Sequence, residues 1–429
     1  MPTIDSRRVR RPNEQDVVEN RSSNSIDCAA HTSRPGFTAA VYIFMLLVFA
    51  SGAYSLPTGL NQDLLRVVGL LALIPYGFFD RGDAPIPRVE ARLQKQQVGT
   101  FKSFALGYAL YVLPSTLLHA QFGMLLIHTA GAALLLTVVR ALSSDGGATA
   151  ARIAPQAFGF AMAVSLVMAF LVPDQAIIQG RLRGMFVNAN LLGFYAFLSL
   201  MSAILLARRV ISFLLLTTMS FWVILWTDSR TSAIAAVLAI VLLALFSHRR
   251  ARQLLLIIIG AACLVYFDVL HIGAVSSSRD LGTRDGSWDE ALRVLNVAPF
   301  TGVGNGATAV EVASTPLRAL AEGGVLALAG VGVMYLVLLR ASSRQGRYLL
   351  AVCVGSIVHS LGEGWFLSSL SPMLLAFVMV WIGVSALGCS DAPGQRRAET
   401  ARRSVRKVIL GPLPNPSSGS SPSTAWEDT

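Results

Sequence analysis

Residues 185–232 read MFVNANLLGFYAFLSLMSAILLARRVISFLLLTTMSFWVILWTDSRTS. Two apolar runs, Met185 to Ala207 and Ile211 to Trp226, are parted only by Arg208 and Arg209. Each is near the roughly 20 residues a helix needs to span a bilayer. A third run opens at Ser232 and lasts to Phe246. Toward the N-terminus the same pattern gives Phe37 to Leu56, Leu64 to Phe79, Phe101 to Leu118, Phe122 to Val139 and Pro155 to Val172. Toward the C-terminus it gives Leu254 to Leu270, Leu320 to Leu339, Tyr348 to Leu361 and Phe366 to Leu387. The expected fold is therefore an all-α polytopic membrane protein of about twelve spans.

Composition agrees. The 429 residues are 54% apolar and 14% charged, where a soluble surface needs roughly 25% charged residues. The formal charge of +11 would suit nucleic acid, but the Lys and Arg lie in short connections and in the tails, as topology signals do. With the N-terminus inside, every even-numbered connection faces the cytoplasm and is basic: Arg81 to Lys102, Arg140 with Arg152, Arg208 with Arg209, Arg249 to Arg252, and Arg340 to Arg347. The outer side keeps only Arg66, Arg181, Arg183, Arg230, Arg279, Arg284, Arg293 and Arg318, of 35 Lys and Arg in all. Both tails, 1–36 and 389–429, fall inside and read as disordered. Spans one to nine occupy 37–270 and spans ten to twelve 320–388. Cys28, Cys263, Cys353 and Cys389 show no pair or metal spacing.

One connection is long, the outer segment 271–319, and loops of that length are usually functional or disordered. Ser287-Trp288-Asp289-Glu290 reads as a capping box, after which Trp288, Leu292 and Leu295 share one helical face up to Pro299. A short amphipathic helix on the membrane or on the bundle is expected.

The outer basic residues are all arginine, the side chain that grips phosphate in two-point fashion and stays charged near lipid. Singly, such residues are commonly snorkelling chains or partners of nearby acids. Arg181, Arg183 and Arg230 stand out because each abuts an apolar run where basic residues are disfavoured. Beside them lie Asn188 and Asn190 at the mouth of span six and Asp228-Ser229 before span eight, all of which also read as helix N-caps. Gly302, Gly304 and Gly306 could approach a phosphate or simply form a turn. His359 and Glu363, four apart near the outer end of span eleven, are expected on one helix face, as a proton relay or as a satisfied polar pair. No HExxH, CxxC or Ser-His-Asp order is present, so neither metal nor cofactor is implied.

Taken in order, Gly180 to Leu192, Ser229-Arg230-Thr231, Trp288 to Gly306, Leu320-Ala321-Glu322-Gly323-Gly324 and His359 to Phe366 resemble the motif series of the integral-membrane O-antigen ligase and polysaccharide polymerase superfamily. The resemblance covers roughly Gln179 to Gly388. It implies an inner-membrane enzyme that takes a glycan from an undecaprenyl diphosphate carrier at the periplasmic face and passes it to an acceptor hydroxyl, without metal or nucleotide sugar. Neutralising the diphosphate leaving group is the main requirement, and a base must take the acceptor proton. On this resemblance Arg230, Arg284, Glu322, His359 and Glu363 are the catalytic candidates. Arg181, Arg183, Asn188, Asn190, Arg279, Arg293 and Arg318 are the diphosphate-binding ones. Where ligases carry His-Asn ahead of span ten, this chain has Val312-Ala313-Ser314-Thr315-Pro316, which favours a polymerase of exopolysaccharide or O-antigen repeat units over a ligase. The base is left open among Glu322, Asp285, Asp289, His271 and His359. A transporter or flippase of the same lipid-linked glycan, and a scaffold among other polysaccharide assembly or export proteins, are the competing classes.

Overall fold

The computed structural model describes residues 35–53, 62–78, 88–145, 147–266, 285–310, 312–368 and 370–390. Most of these, 82%, are helical. The helices are α1 (Pro35–Ala50), α2 (Gln62–Phe78), α3 (Arg88–Val112), α4 (Phe122–Leu142), α5 (Ala148–Leu171), α6 (Ala189–Leu206) and α7 (Val210–Thr227). They continue as α8 (Arg230–Leu245), α9 (Arg249–Tyr266), α10 (Asp285–Val297), α11 (Thr315–Gln345), α12 (Arg347–Gly362) and α13 (Pro372–Ser390). The midpoint of each apolar run expected from the sequence falls within one of them, and α10 is the extra helix expected between the ninth and tenth runs. His271, Arg279 and Arg284 of that loop lie outside the described residues, as do most of the two tails.

Among the described residues, five helices, α4, α5, α6, α7 and α11, are long and apolar enough to cross a membrane, and five more apolar helices are shorter. Several carry apolar side chains on the outside: Phe122, Leu126 and Ile127 of α4 are 63%, 71% and 59% exposed. An apolar surface of that extent is a lipid-facing surface, not a water-facing one. α6 is the opposite case, apolar all round and 94% buried. Its Tyr195 ring meets Phe49, Phe158 and Phe186 with centroids 5.0–6.2 Å apart.

α3 and α11 cross with their backbones in close approach. A Cβ added to Gly107 would sit 3.0 Å from the Gly330 carbonyl oxygen, and one on Gly330 2.7 Å from that of Gly107. Small residues let the two backbones touch, as membrane helices require where no solvent drives them together. One turn along, this contact carries Tyr111 into the bundle interior. α3 starts at Arg88, well ahead of the apolar run, because the polar extension is itself packed: the buried Gln97 side chain donates to Ser385 of α13.

The expected capping box does not form. α10 begins at Asp285, two residues before Ser287, and Glu290 turns instead to Arg293 (two bonds of 2.8 Å) and to the Ala309 N–H (2.9 Å). The helix buries Val294 against Val312 and Ala321, and Ala291 is buried as well, leaving Trp288 and Leu292 exposed.

Candidate functional site

α11 is two helices joined at a break. Gly324 adopts φ 67°, ψ −161°, a region closed to residues with a Cβ. Breaking a helix frees backbone groups that must be satisfied elsewhere. The segment 299–304 does this: Val303 N–H donates to Ala321 O (3.0 Å), Gly304 N–H to Glu322 O (2.9 Å), and Val325 N–H to Pro299 O (2.9 Å). The fit leaves no room for side chains, since a Cβ on Gly302 would lie 2.4 Å from the Glu322 carbonyl carbon and one on Gly324 2.3 Å from that of Phe300.

The break places Glu322, 1% exposed, at the centre of a polar chain. Its Oε1 accepts from Arg318 Nε (2.9 Å) and from the Gly306 N–H (3.1 Å), and its Oε2 from the Tyr111 hydroxyl (2.5 Å). Tyr111 Oη accepts from Asn305 Nδ2 at 3.1 Å, and the same amide nitrogen lies 3.0 Å from His128 Nε2. His128 Nδ1 is 2.5 Å from the Tyr108 hydroxyl, which lies 3.1 Å from Leu367 O.

Arg318 also lines an open cleft of about 280 Å³ with Arg66, Val312, Ala313, Glu363, Trp365 and Ser368. Glu363 is there because α12 ends at Gly362 and the chain turns extended, φ −142°, ψ 138°. This corrects the expectation that His359 and Glu363 share a helix face. The two side chains part, Glu363 toward the cleft and His359 into the core. Asn190 Nδ2 donates to Glu363 Oε1 at 2.6 Å, and Arg181 Nη2 donates to Asn190 Oδ1 at 2.7 Å. Arg181 is presented by a two-residue hairpin in which Ile178 pairs with Arg181. Its turn residues Gln179 and Gly180 have φ 52° and 74°, the twist such short hairpins need. Arg181 Nε then reaches Thr227 O at 2.8 Å, tying the hairpin to the end of α7.

The remaining candidates stand elsewhere. Beyond the hairpin, the N–H groups of Arg183 and Gly184 both donate to Ala176 O, which turns the buried Arg183 side chain onto Gln175 O (2.8 Å). Asn188 is the N-cap of α6, its side chain accepting from the Asn190 N–H at 2.8 Å. Arg293 is held by Glu290 on α10. Arg230 is exposed at the start of α8. His359 is fully buried. Its Nδ1 accepts from the Trp365 indole (3.1 Å), so its proton sits on Nε2, which donates to Ser232 Oγ (3.2 Å). Ser232 in turn meets Ser229 at 2.8 Å. The Ser-Arg-Thr segment is thus linked to the cleft through His359 and Trp365.

Arg66, Tyr108, Tyr111, His128 and Asn305 are the members that sequence reasoning passed over as site residues. Arg66 had one available signal, a lone basic residue on the side expected to be outer. No known family profile matches the chain, and no curated protein sequence matches it.

Proposed function

We propose that the chain is a metal-independent membrane glycosyltransferase that polymerises undecaprenyl-diphosphate-linked oligosaccharide repeat units at the outer face of the bacterial inner membrane. In this reading twelve helices span the bilayer, α10 lies in the outer loop and both termini are cytoplasmic. The observation that carries it is the cleft: Arg66, Arg318 and Glu363 line one opening, with Arg181 joined to Glu363 through Asn190. Transfer forms a bond from an acceptor hydroxyl oxygen to the anomeric carbon, breaks that carbon's bond to the diphosphate, and sends the hydroxyl proton to a base. Arginines at the cleft stabilise the charge that builds on the departing diphosphate, and Glu363 is the carboxylate placed to take the proton. Glu322 suits that role poorly, because three donors already occupy its two oxygens.

Deleting the gene and complementing it with wild type, Arg318→Ala or Glu363→Gln tests the reading. Single repeat units on the carrier and loss of long polymer, restored by wild type alone, are expected. Polymer that forms but stays on the carrier would mean transfer to a lipid or protein acceptor, the ligase reaction, and an unchanged glycan would end the proposal. The break at Gly324 favours one competing class, a transporter of lipid-linked glycan, since transporters build sites on discontinuous helices. Polymer made by purified protein in detergent, with no membrane to cross, decides against transport.

A further inference from the structure

We infer that Asn305 is a positioning residue: its amide, lodged between α3 and α4, fixes the Tyr111–Glu322 clamp that holds Arg318 in the cleft. What Arg318 binds rests on the glycosyltransferase reading; how it is held does not.

The hydrogens assign themselves from one choice. An amide nitrogen has two hydrogens and no acceptor capacity, and Asn305 Nδ2 faces both Tyr111 Oη (3.1 Å) and His128 Nε2 (3.0 Å). His128 Nε2 therefore accepts, and its ring proton sits on Nδ1, from which it donates to Tyr108 Oη (2.5 Å). Tyr108 keeps its own hydrogen for Leu367 O. Tyr111, with its oxygen facing Asn305, points its hydrogen at Glu322 Oε2. Turning the amide over would set a carbonyl oxygen against the lone pair of His128 and remove the donor to Tyr111.

The backbone of residue 305 is pinned independently. Its N–H donates to Ser115 O (2.9 Å) and Gln121 Oε1 (3.1 Å), and its carbonyl accepts from Gln121 Nε2 (3.3 Å). Thr301 O, earlier in the loop, meets His119 Nε2 at 3.0 Å. The loop thus enters the corner between α3 and α4 as a rigid insert. Asn305 is the insert's side chain aimed at the clamp, and Gly306 supplies the third donor to Glu322. Glu322, held by Tyr111 and Gly306, in turn sets the Arg318 guanidinium through Nε. A charge-assisted bond of this kind is both strong and directional.

The test uses purified protein in nanodiscs and the arginine reagent phenylglyoxal, with modification of Arg318 and Arg66 followed separately by peptide mass spectrometry. Asn305→Ala removes the amide. Tyr111→Phe removes a single hydroxyl and keeps the ring packed, so it covers the case where the first variant does not fold. In both, Arg318 is expected to react several-fold faster while Arg66 keeps its wild-type rate. Pyrophosphate, used as the probe, is expected to protect Arg318 in wild type and to bind about tenfold more weakly in the variants, the loss of roughly one hydrogen bond. An unchanged Arg318 rate, or Arg66 and Arg318 accelerating together, overturns the positioning role. A changed Arg318 rate with no protection by pyrophosphate upholds positioning and removes the diphosphate from the glycosyltransferase reading.

Discussion

α7 has arginines at both of its ends, and the two ends use them differently. Its 18 residues put Arg208-Arg209 about 27 Å from Thr227 and Arg230. At the first end Arg250 donates to Ala207 O (2.8 Å), Ile204 O (3.3 Å) and Ala203 O (3.5 Å), the last carbonyls of α6, and lies 4.9 Å over the Phe213 ring. Arg252 does the same for α8 through Ala244 O and Ser247. Burial, then Arg250 and Arg347, push the nearby His248 below the usual histidine range. These arginines satisfy orphaned carbonyls and the negative pole of each helix. At the second end Arg181, bonded to Thr227 O, donates to Asn190, and beyond it Arg318 of α11 donates to Glu322, side chains that belong to networks reaching the cleft. One residue type thus closes helices on one side and builds a site on the other.

The largest effect that could break this contrast is in glycan assembly. On the proposed glycosyltransferase reading, Arg318→Ala should shorten or abolish polymer, a loss of about a hundredfold or more in transfer rate, while Arg250→Ala should leave polymer length at wild type for equal protein levels. Gel analysis of secreted glycan beside an immunoblot checks both. A loss of polymer in Arg250→Ala at full protein level would erase the distinction between the two ends.

Stability should rank the variants the other way. Arg250→Ala strips three carbonyls and an aromatic contact, so about 2 kcal/mol is expected and the thermal midpoint in detergent should fall by several degrees. Arg318→Ala leaves Glu322 with two donors and should fall less. A lower midpoint for Arg318→Ala than for Arg250→Ala would mean that the cleft network also bears the fold.

A smaller effect concerns α10, whose exposed Trp288 and Leu292 adjoin the buried Ala291 and Val294 face. A fluorophore on Leu292→Cys should be quenched by lipids labelled high in the acyl chain, and one on Asp289→Cys by aqueous iodide. Iodide quenching at both positions would put the whole outer face of α10 in water.

Much of the fold was legible because apolar length is a local property. The runs around α6 and α7 needed nothing beyond their own residues, and Asn188 behaved as the N-cap its position announced. The Glu363 placement failed for a local reason too: Gly362 ends α12, so four-residue spacing no longer meant one face. The clamp was illegible in principle. Tyr111 and Glu322 are 211 residues apart, and Asn305 and His128 177, and what joins them is the Gly107–Gly330 crossing and the break at Gly324. None of these three glycines announces a partner. Arg66 shows the same limit, since only the fold brings it beside Arg318 and Glu363.

The smallest expected effect separates the arginine on α10 from the one on α11. Arg293 and Arg318 each pair with a glutamate one turn away, but the Arg293 side chain is 53% exposed, and solvent screens such pairs. Hydrogen bonds from Arg293, then from the Ala309 N–H, hold the Glu290 carboxyl down at about 2. A carboxyl lowered on folding stabilises the folded state above its unfolded pKa, and that contribution fades as pH falls through the folded value. The link between α10 and the 306–310 segment should therefore be complete at neutral pH and weaken from about 4 toward 2. Hydrogen exchange at Ala309, corrected for its intrinsic rate, should rise over that window in wild type. In Glu290→Gln it should be raised at neutral pH and flat with pH, while Arg318 reactivity stays at wild type. Arg318 responding to Glu290→Gln would show that α10 and the clamp move as one body, and the loop would then reach the cleft through Glu290 as well as through Asn305.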